Sequence, residues 1–213
     1  MSTEFSGIRL EYINHDCFRI EGRGVVVYID PYKVDRERKD GDVVVCTHDH
    51  FDHCSPEDIK KVAKEGAVVV ASVNCKDRVE ELDYEKVFME PGDKREVKGV
   101  LIEAVPAYNV DKHYHPKNYK GIGVVVEIEG VRIYHAGDTD FIPEMKELKN
   151  IDIALLPVSG VYVMNAQQAV EAAKAIMPKI AIPMHYGVIV GSRSDAERFK
   201  EALEGVCEVR ILK

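Results

Sequence analysis

Residues 43–58 read VVVCTHDHFDHCSPED, in which a short apolar run is followed at once by side chains that bind metals. The run at 43–46 is too short and too continuously apolar for anything but a buried strand. His48, His50 and His53, three of the eight histidines in the chain, come directly after it, with Asp52 beside the last of them. Loops at strand ends hold polar groups over a rigid scaffold, so this stretch predicts a functional site at the carboxyl end of a strand.

The last residues of the same stretch predict the start of a helix. Ser55 can act as the N-cap, Pro56 suits the first helical position, and Asp58 stands where an acid completes a capping arrangement. Asn165 is a second candidate N-cap, because an apolar stripe at helical spacing follows it up to Met177.

The remaining strands fall into two groups, each of which meanders first and then alternates with helices. This order is typical of two sheets packed face to face, so we predict an α/β fold, a four-layer αββα sandwich of two mixed β-sheets with helices outside. The predicted strands are 8–13, 17–20, 25–30, 43–46, 66–72 and 86–90, then two strands within 94–108, a hairpin within 121–137, and 152–158, 179–184 and 206–212. Short helices are predicted at 75–83, 143–149 and 194–204.

Composition limits the class of protein. The 213 residues suit one domain spanning 1–213, with 46% hydrophobic and 31% charged residues. We expect a cytoplasmic protein with no membrane partner, because no apolar run approaches the roughly 20 residues of a spanning helix and the first residues do not resemble a signal peptide. Five cysteines, an odd number without a C-x-x-C pair, predict neither a disulfide framework nor a thiolate zinc site.

The net charge of the chain limits the kinds of partner that it is expected to bind. A net charge of -8 opposes broad attraction to nucleic acid phosphates, so nucleic acid is not the expected partner. We expect a small-molecule substrate, and the composition leaves a homo-oligomer open.

Two further polar segments follow apolar strands: GDTD after 131–135 and MHYG after 180–184. If these strand ends converge with the first, they form a pocket of four imidazoles and two carboxylates. His48 and His50, two apart in an extended segment, can hold one cation, whereas Asp52 and His53 can face a second. The pocket would contain His48, His50, Asp52, His53, Asp138 and His185.

Imidazole and carboxylate ligands favour Zn²⁺ and are compatible with Mn²⁺, Fe or Ni. We therefore expect one or two ions per chain, with Zn²⁺ the leading candidate. Because no cysteine belongs to the set, the sites are expected to be open and catalytic.

The segments THDHFDH, GDT and MHYG resemble the H-x-H-x-D-H, bridging-aspartate and final-histidine motifs of the metallo-β-lactamase superfamily. Together with INHDCFRIEG and DPY near the start, they are similar to its small stand-alone metal-dependent hydrolases, the group related to ascorbate-6-phosphate lactonase. The resemblance runs from about residue 8 to residue 212. It implies an αββα fold and a hydrolytic site with one or two metals.

The resemblance also implies a ligand set. His48 and His50 match first-site ligands, Asp52 and His53 match second-site ligands, Asp138 matches the bridge, and His185 matches the last second-site histidine. The chain departs from the pattern at Asn109, where the superfamily usually places a third first-site histidine. Either Asn109 coordinates through its amide oxygen, or His113 or His115 enters from the following loop, or the first site lacks a ligand; we favour His115.

Candidate substrate-binding residues come from three segments. His15 matches a histidine near the start of the small relatives. The loop 109–120 is locally basic, and it can hold a phosphate or carboxylate if it lies beside the metals. The segment SGVYVM offers an apolar pocket wall. The candidates are His15, Asn109, His113, Lys117 and Tyr162.

We therefore expect a metal-dependent hydrolase that uses a metal-bound hydroxide on a small, anionic ester, lactone or phosphodiester. Asp52 is the candidate catalytic residue, as a ligand that orients the hydroxide or moves a proton. No G-x-S-x-G motif indicates a serine nucleophile. Alternatives are a nuclease of the same superfamily and a metal-binding, non-enzymatic protein with an incomplete first site. A di-iron oxygen or nitric-oxide reductase is less favoured.

Overall fold

The computed structural model describes residues 1–212, whose strands form two seven-stranded sheets. The first sheet contains β1 to β7: Ser2–Phe5, Ile8–Asn14, Cys17–Gly22, Val25–Ile29, Gly41–Cys46, Ala63–Ser72 and Glu85–Met89. The second contains β8 to β14: Lys94–Val97, Val100–Pro106, Ile122–Ile128, Val131–His135, Ile153–Pro157, Ile180–Met184 and Glu208–Val209. In both sheets each strand lies beside its neighbour in the chain.

The two sheets have the same topology. The strands from β1 to β4 and from β8 to β11 pair antiparallel, whereas β4 to β7 and β11 to β14 pair parallel. Parallel neighbours need crossover connections, which helices usually provide. The α-helices that do so are α1 (Pro56–Val62), α2 (Lys76–Val79), α3 (Ala166–Ile176) and α4 (Arg193–Ala202).

The main core lies between the sheets. In β5, Val43 and Val45 belong to this inner core, whereas Val44 belongs to a second cluster with Ile59 and Val62 of α1. Side chains alternate between the faces of a strand, so α1 covers the outer face of the first sheet. Since α3 packs against β12 on the second sheet, the predicted αββα sandwich is confirmed.

Both predicted helix caps are present. The Ser55 hydroxyl accepts a hydrogen bond from the Asp58 backbone N–H at 3.3 Å, and the Asn165 side chain forms a capping box with Gln168. Such caps each stabilise a helix by about 1 kcal/mol.

Four elements differ from the sequence prediction. Ser2–Phe5 is a strand although its side chains are largely polar, because it pairs along the edge of β2. The helix expected at 143–149 is a 3₁₀ turn, Pro143–Glu147, and that expected at 75–83 is a 3₁₀ turn followed by the short α2. The strand expected at 206–212 is only Glu208–Val209, the two residues that are in register with β13. None of the helices in residues 1–212 has the length and apolar character needed to cross a bilayer.

Candidate metal centre

The loops after β5, β11 and β13 converge at one end of the two sheets. The loops after β5, β9 and β11 supply a first group of possible metal donors within 4.8 Å of one another: His48, His50, His115 and Asp138. A second group comprises His15, Asp16, His53 and His185.

Three imidazole nitrogens face one another in the first group. His50 Nδ1 lies 3.1 Å from His48 Nε2 and 3.2 Å from His115 Nε2. Nitrogens bound to zinc at 2.0–2.1 Å in tetrahedral geometry are about 3.3 Å apart, so the spacing fits one cation. Burial keeps the pKa of His48 well below its usual value and lowers that of His115 to about 4. Both rings are therefore neutral near pH 7, which is the form that binds a metal.

The Asp138 carboxylate lies between the two groups. Its Oδ2 is 3.5 Å from His115 Nε2 and 3.4 Å from His185 Nε2, and its Oδ1 is 3.4 Å from His53 Nε2. Burial alone would raise the pKa of Asp138, but His185 and His53 hold it well below its usual value. This ionised carboxylate has the position that a bridging ligand requires.

His53, His185 and Asp52 stand on the other side of Asp138. Asp52 Oδ2 lies 3.8 Å from His53 Nε2 and 3.2 Å from His15 Nε2. Burial lowers the pKa of His185, but Asp138 and Asp16 raise it to a net value of about 9. In the same way Asp138 and Asp30 outweigh burial and raise the pKa of His53 well above its usual value. The carboxylates therefore stabilise positive charge on these two histidines. A divalent cation can supply that positive charge in place of the protons.

Asp16 is a further possible ligand that the sequence did not single out. It is fully buried, and neither carboxylate oxygen has a hydrogen-bond partner among residues 1–212. Its Oδ2 lies 4.0 Å from His53 Nε2, and burial raises its pKa. A buried carboxyl group without a partner is costly, so a cation beside it would explain its position. The only signal was its place beside His15 in the turn between β2 and β3.

Two of the histidines are oriented by Asp30. His53 Nδ1 lies 2.8 Å from Asp30 Oδ2, and the Thr47 hydroxyl donates to the same oxygen at 2.7 Å. The Thr47 oxygen lies 3.0 Å from His48 Nδ1. These contacts leave Nε2 of both rings to face the centre, and such outer partners are typical of metal-binding histidines. Asp30 stands in the DPY segment, but its strand-end position alone did not reveal this role.

His115 and His185, two further buried histidines of the donor groups, are also oriented through Nδ1. Asn109 Oδ1 accepts hydrogen bonds from the His115 backbone N–H at 3.0 Å and from the ring at 3.1 Å, while its amide donates to the Tyr162 carbonyl. His185 Nδ1 lies 3.0 Å from the Ser159 hydroxyl. Asn109 thus holds both the backbone and the ring of His115 in place.

A surface cavity of about 320 Å³ opens onto the centre. Its lining residues are His50, Phe51, Asp52, Tyr114, His115, Asp138, Tyr162, His185 and Ile189. Of the five predicted substrate-binding residues, Tyr162 lines this cavity. His15 is fully buried in the second donor group, whereas His113 is exposed and does not line the cavity. Lys117 is also exposed and contacts Glu144.

Comparison with known proteins agrees with this geometry. Residues 9–185 match the family model described as the Beta-lactamase superfamily domain. A UPF0173 metal-dependent hydrolase from Thermoplasma acidophilum is 37% identical over 96% of this chain and 94% of its own, and one from Pyrococcus horikoshii is 32% identical over 97% and 96%. The chain therefore belongs to the β-lactamase superfamily, and it is a metal-dependent hydrolase similar to the UPF0173 proteins.

Solved structures support the same fold. A protein from Parabacteroides distasonis assigned to the metal-dependent hydrolases superposes with a TM-score of 0.86 at 32% identity, covering 99% of this chain and 97% of its own. Igni18, a metallo hydrolase from Ignicoccus hospitalis, gives a TM-score of 0.81 at 27% identity, covering 97% and 95%.

Proposed function

We propose that this protein hydrolyses a small-molecule ester, lactone or phosphodiester at a centre holding two divalent cations, with Zn²⁺ the leading candidate. The observation that carries the proposal is the set of imidazole nitrogens around the Asp138 carboxylate. We assign His48, His50 and His115 to the first cation, Asp52, His53 and His185 to the second, and Asp138 to both. His115 supplies the imidazole that Asn109 cannot, which favours an enzyme over a protein with an incomplete first site.

Cations bound there would supply Lewis acidity, polarising the scissile group and acidifying water. The side chains perform the remaining tasks. Asp52 lines the cavity, and the His15 contact outweighs burial to hold its pKa below the usual value. It is therefore ionised near pH 7 and can accept a proton from water in the cavity and pass it to the leaving group. Asp30, Thr47, Asn109 and Ser159 keep the imidazoles in one orientation throughout.

The size of the cavity supports a small molecule as the substrate. At about 30 Å³ per water molecule, 320 Å³ holds about ten waters. The net charge of -8 makes a long nucleic acid a poor partner. Salt-sensitive binding of a labelled oligonucleotide would favour the nuclease alternative.

The lysines of loop 109–120 lend little support to an anionic substrate. Lys112 contacts Asp140 and Asp111, Lys117 lies 2.8 Å from Glu144, and Lys120 lies 2.7 Å from Glu90. None of these lysines lines the cavity. The proposed function therefore does not require an anionic substrate.

The test compares two aspartate variants. Chelator-treated protein is reloaded with Zn²⁺ or Mn²⁺ and assayed with p-nitrophenyl esters and bis-p-nitrophenyl phosphate. Asp138→Ala should lower turnover by about 100-fold or more, because each of the two proposed cations loses a ligand. Asp77→Ala, an exposed aspartate on α2, is the matched control and should keep wild-type rates. Equal rates for wild type and Asp138→Ala would overturn the proposal.

A further inference from the structure

The cavity beside the metal centre has an apolar rim exposed to solvent. Phe51 is 57% exposed, Tyr114 53% and Ile189 39%, and all three line the cavity. They are three of the eight large hydrophobic side chains that are exposed in residues 1–212. Exposed apolar groups gathered around one cavity mark a binding surface, whereas scattered ones need no explanation.

The rim is built from separate segments that approach one another in space. Phe51 follows β5, Tyr114 and Tyr162 come from the loops after β9 and β12, and Ile189 follows β13. The rings of Tyr114 and Tyr162 meet edge to face with centroids 4.7 Å apart, and Phe51 meets the buried Tyr32 in the same way at 5.8 Å. Edge-to-face contacts favour a defined orientation of the rings that form this wall.

The cavity wall carries no lysine or arginine. Among residues 1–212, the lining instead contains two carboxylates, Asp52 and Asp138, and three imidazoles, those of His50, His115 and His185. The basic residues of the adjoining loop are paired with Asp140, Glu144 and Glu90. A ligand with a negative group away from the reacting bond would meet apolar rings there and lose hydration without gaining a partner.

We infer that the substrate presents an uncharged apolar group, a short alkyl chain or one aromatic ring, to Phe51, Tyr114 and Ile189, while its hydrolysable bond lies at the metal centre. The inference rests on the proposed function. It names a substrate class, neutral esters or lactones with an apolar acyl part, and it makes the three rim residues determinants of specificity.

The first test uses substrates matched in size. p-Nitrophenyl acetate, pentanoate and hemisuccinate share a leaving group, and the last two have acyl parts of similar length that differ in charge. Each buried methylene is worth about fourfold in binding. The kcat/KM for pentanoate should exceed that for acetate by about tenfold or more, whereas hemisuccinate should not exceed acetate. Preference for hemisuccinate over pentanoate would overturn the inference.

The second test does not depend on turnover. Hydroxamates chelate divalent cations, so acetohydroxamate, pentanohydroxamate and succinic monohydroxamate can be titrated into metal-loaded protein by calorimetry. The pentano compound should have a Kd about tenfold lower than the aceto compound. Equal or tighter binding of the succinic compound would contradict the apolar assignment, even if no ester were hydrolysed.

Substitutions in the cavity rim test which residues cause the preference for the apolar acyl group. Tyr114→Ser and Ile189→Ser should each lower the ratio of pentanoate to acetate kcat/KM by about threefold or more, and lower the hydroxamate ratio in parallel. Val206→Ser is the control, because Val206 is also exposed but lies after α4, outside the cavity lining. Unchanged ratios in both rim variants would overturn the inference. Absence of turnover with every ester would instead count against the proposed function, since hydroxamate selectivity is measured separately.

Discussion

Asn109 occupies the position where an imidazole was expected, and its contacts explain how the centre forms without one. Its side-chain oxygen holds both the backbone and the ring of His115, and its amide ties this loop to the Tyr162 carbonyl. Sequence alone left Asn109, His113 and His115 as alternatives, because the conformation of an irregular loop decides which side chain reaches the centre. Asp16, Asp30 and Ser159 were missed for a similar reason: their roles depend on orientation and not on spacing.

The two histidines of this loop give a matched pair. His115→Ala should reduce the metal content from about two ions per chain to about one, because a donor of the first group is lost. His113→Ala should leave it unchanged, since His113 is exposed and belongs to neither donor group. Metal analysis after dialysis measures both. Equal metal loss in the two variants would contradict the assignment of His115.

Asn109→Ala should weaken the first site without removing a ligand. Loss of a group that orients a metal-binding histidine typically costs 10- to 100-fold in affinity, and a decrease of about that size is expected here. Competition with a chromogenic chelator measures it. Asn118→Ala, an exposed asparagine in the same loop, is the control. Identical affinities would show that Asn109 does not position His115.

The raised pKa of His185 gives the metal-free protein a defined pH dependence. Because its pKa is about 9 when folded and near 6.5 when unfolded, its contribution to stability is complete below pH 6.5 and is lost as pH rises through 9. Denaturant titrations of chelated protein at pH 7 and pH 9 should show this loss, and His185→Gln should show less of it. Burial raises the pKa of the Cys17 thiol, and a hydrogen bond with Cys54 followed by burial raises that of Cys46; both cysteines are present in the two proteins that are compared. An equal loss in both proteins would contradict this account.

At the scale of elements, the metal centre depends on the backbone conformation at the ends of its strands. Gly137, between β11 and Asp138, has a φ of +62°, and a Cβ there would lie 2.8 Å from the Ile122 carbonyl oxygen. The short apolar strands and the helix caps were predictable, because local propensity and tertiary packing agree there. The lengths of Ser2–Phe5 and Glu208–Val209 were not, since these edge strands exist through pairing and not through their own pattern.

Gly130, in the turn before β11, and Gly137, after that strand, allow the cost of backbone strain to be measured separately from the cost of crowding. Gly130→Ala, at φ +77° with open space around its added Cβ, should cost about 1 kcal/mol of unfolding free energy. Gly137→Ala adds a clash with backbone and should cost about 3 kcal/mol, while also lowering metal affinity through Asp138. Chemical denaturation and chelator competition measure the two effects. Equal stability and affinity in both variants would contradict the role of Gly137.

At the scale of the whole molecule, the donor residues are divided between the sheets. His48, His50 and His53 belong to the half that builds the first sheet, whereas Asp138 and His185 belong to the half that builds the second. This arrangement was predictable in outline, because each half of the sequence meanders and then alternates with helices. The convergence of the strand ends depends on contacts between segments that are distant in the chain, so local sequence patterns could not establish it.

Bound cations should therefore stabilise both halves of the folded chain together. At a free Zn²⁺ concentration 100 times the Kd, unfolding free energy should rise by about 2.7 kcal/mol for one site. Denaturant midpoints with and without chelator measure this rise. Asp138→Ala should lose most of the increment, whereas Asp77→Ala should keep it. A wild-type midpoint that does not respond to chelator would contradict cation linkage between the halves.

The strictly sequential strand order has a consequence for assembly. Every strand pairs with its chain neighbour, so the residues before and after the Glu90–Asp93 turn each contain all the strands of one sheet. Neither half of the chain contains all the ligands proposed for either cation, so we expect tight ion binding only after the two sheets have packed together.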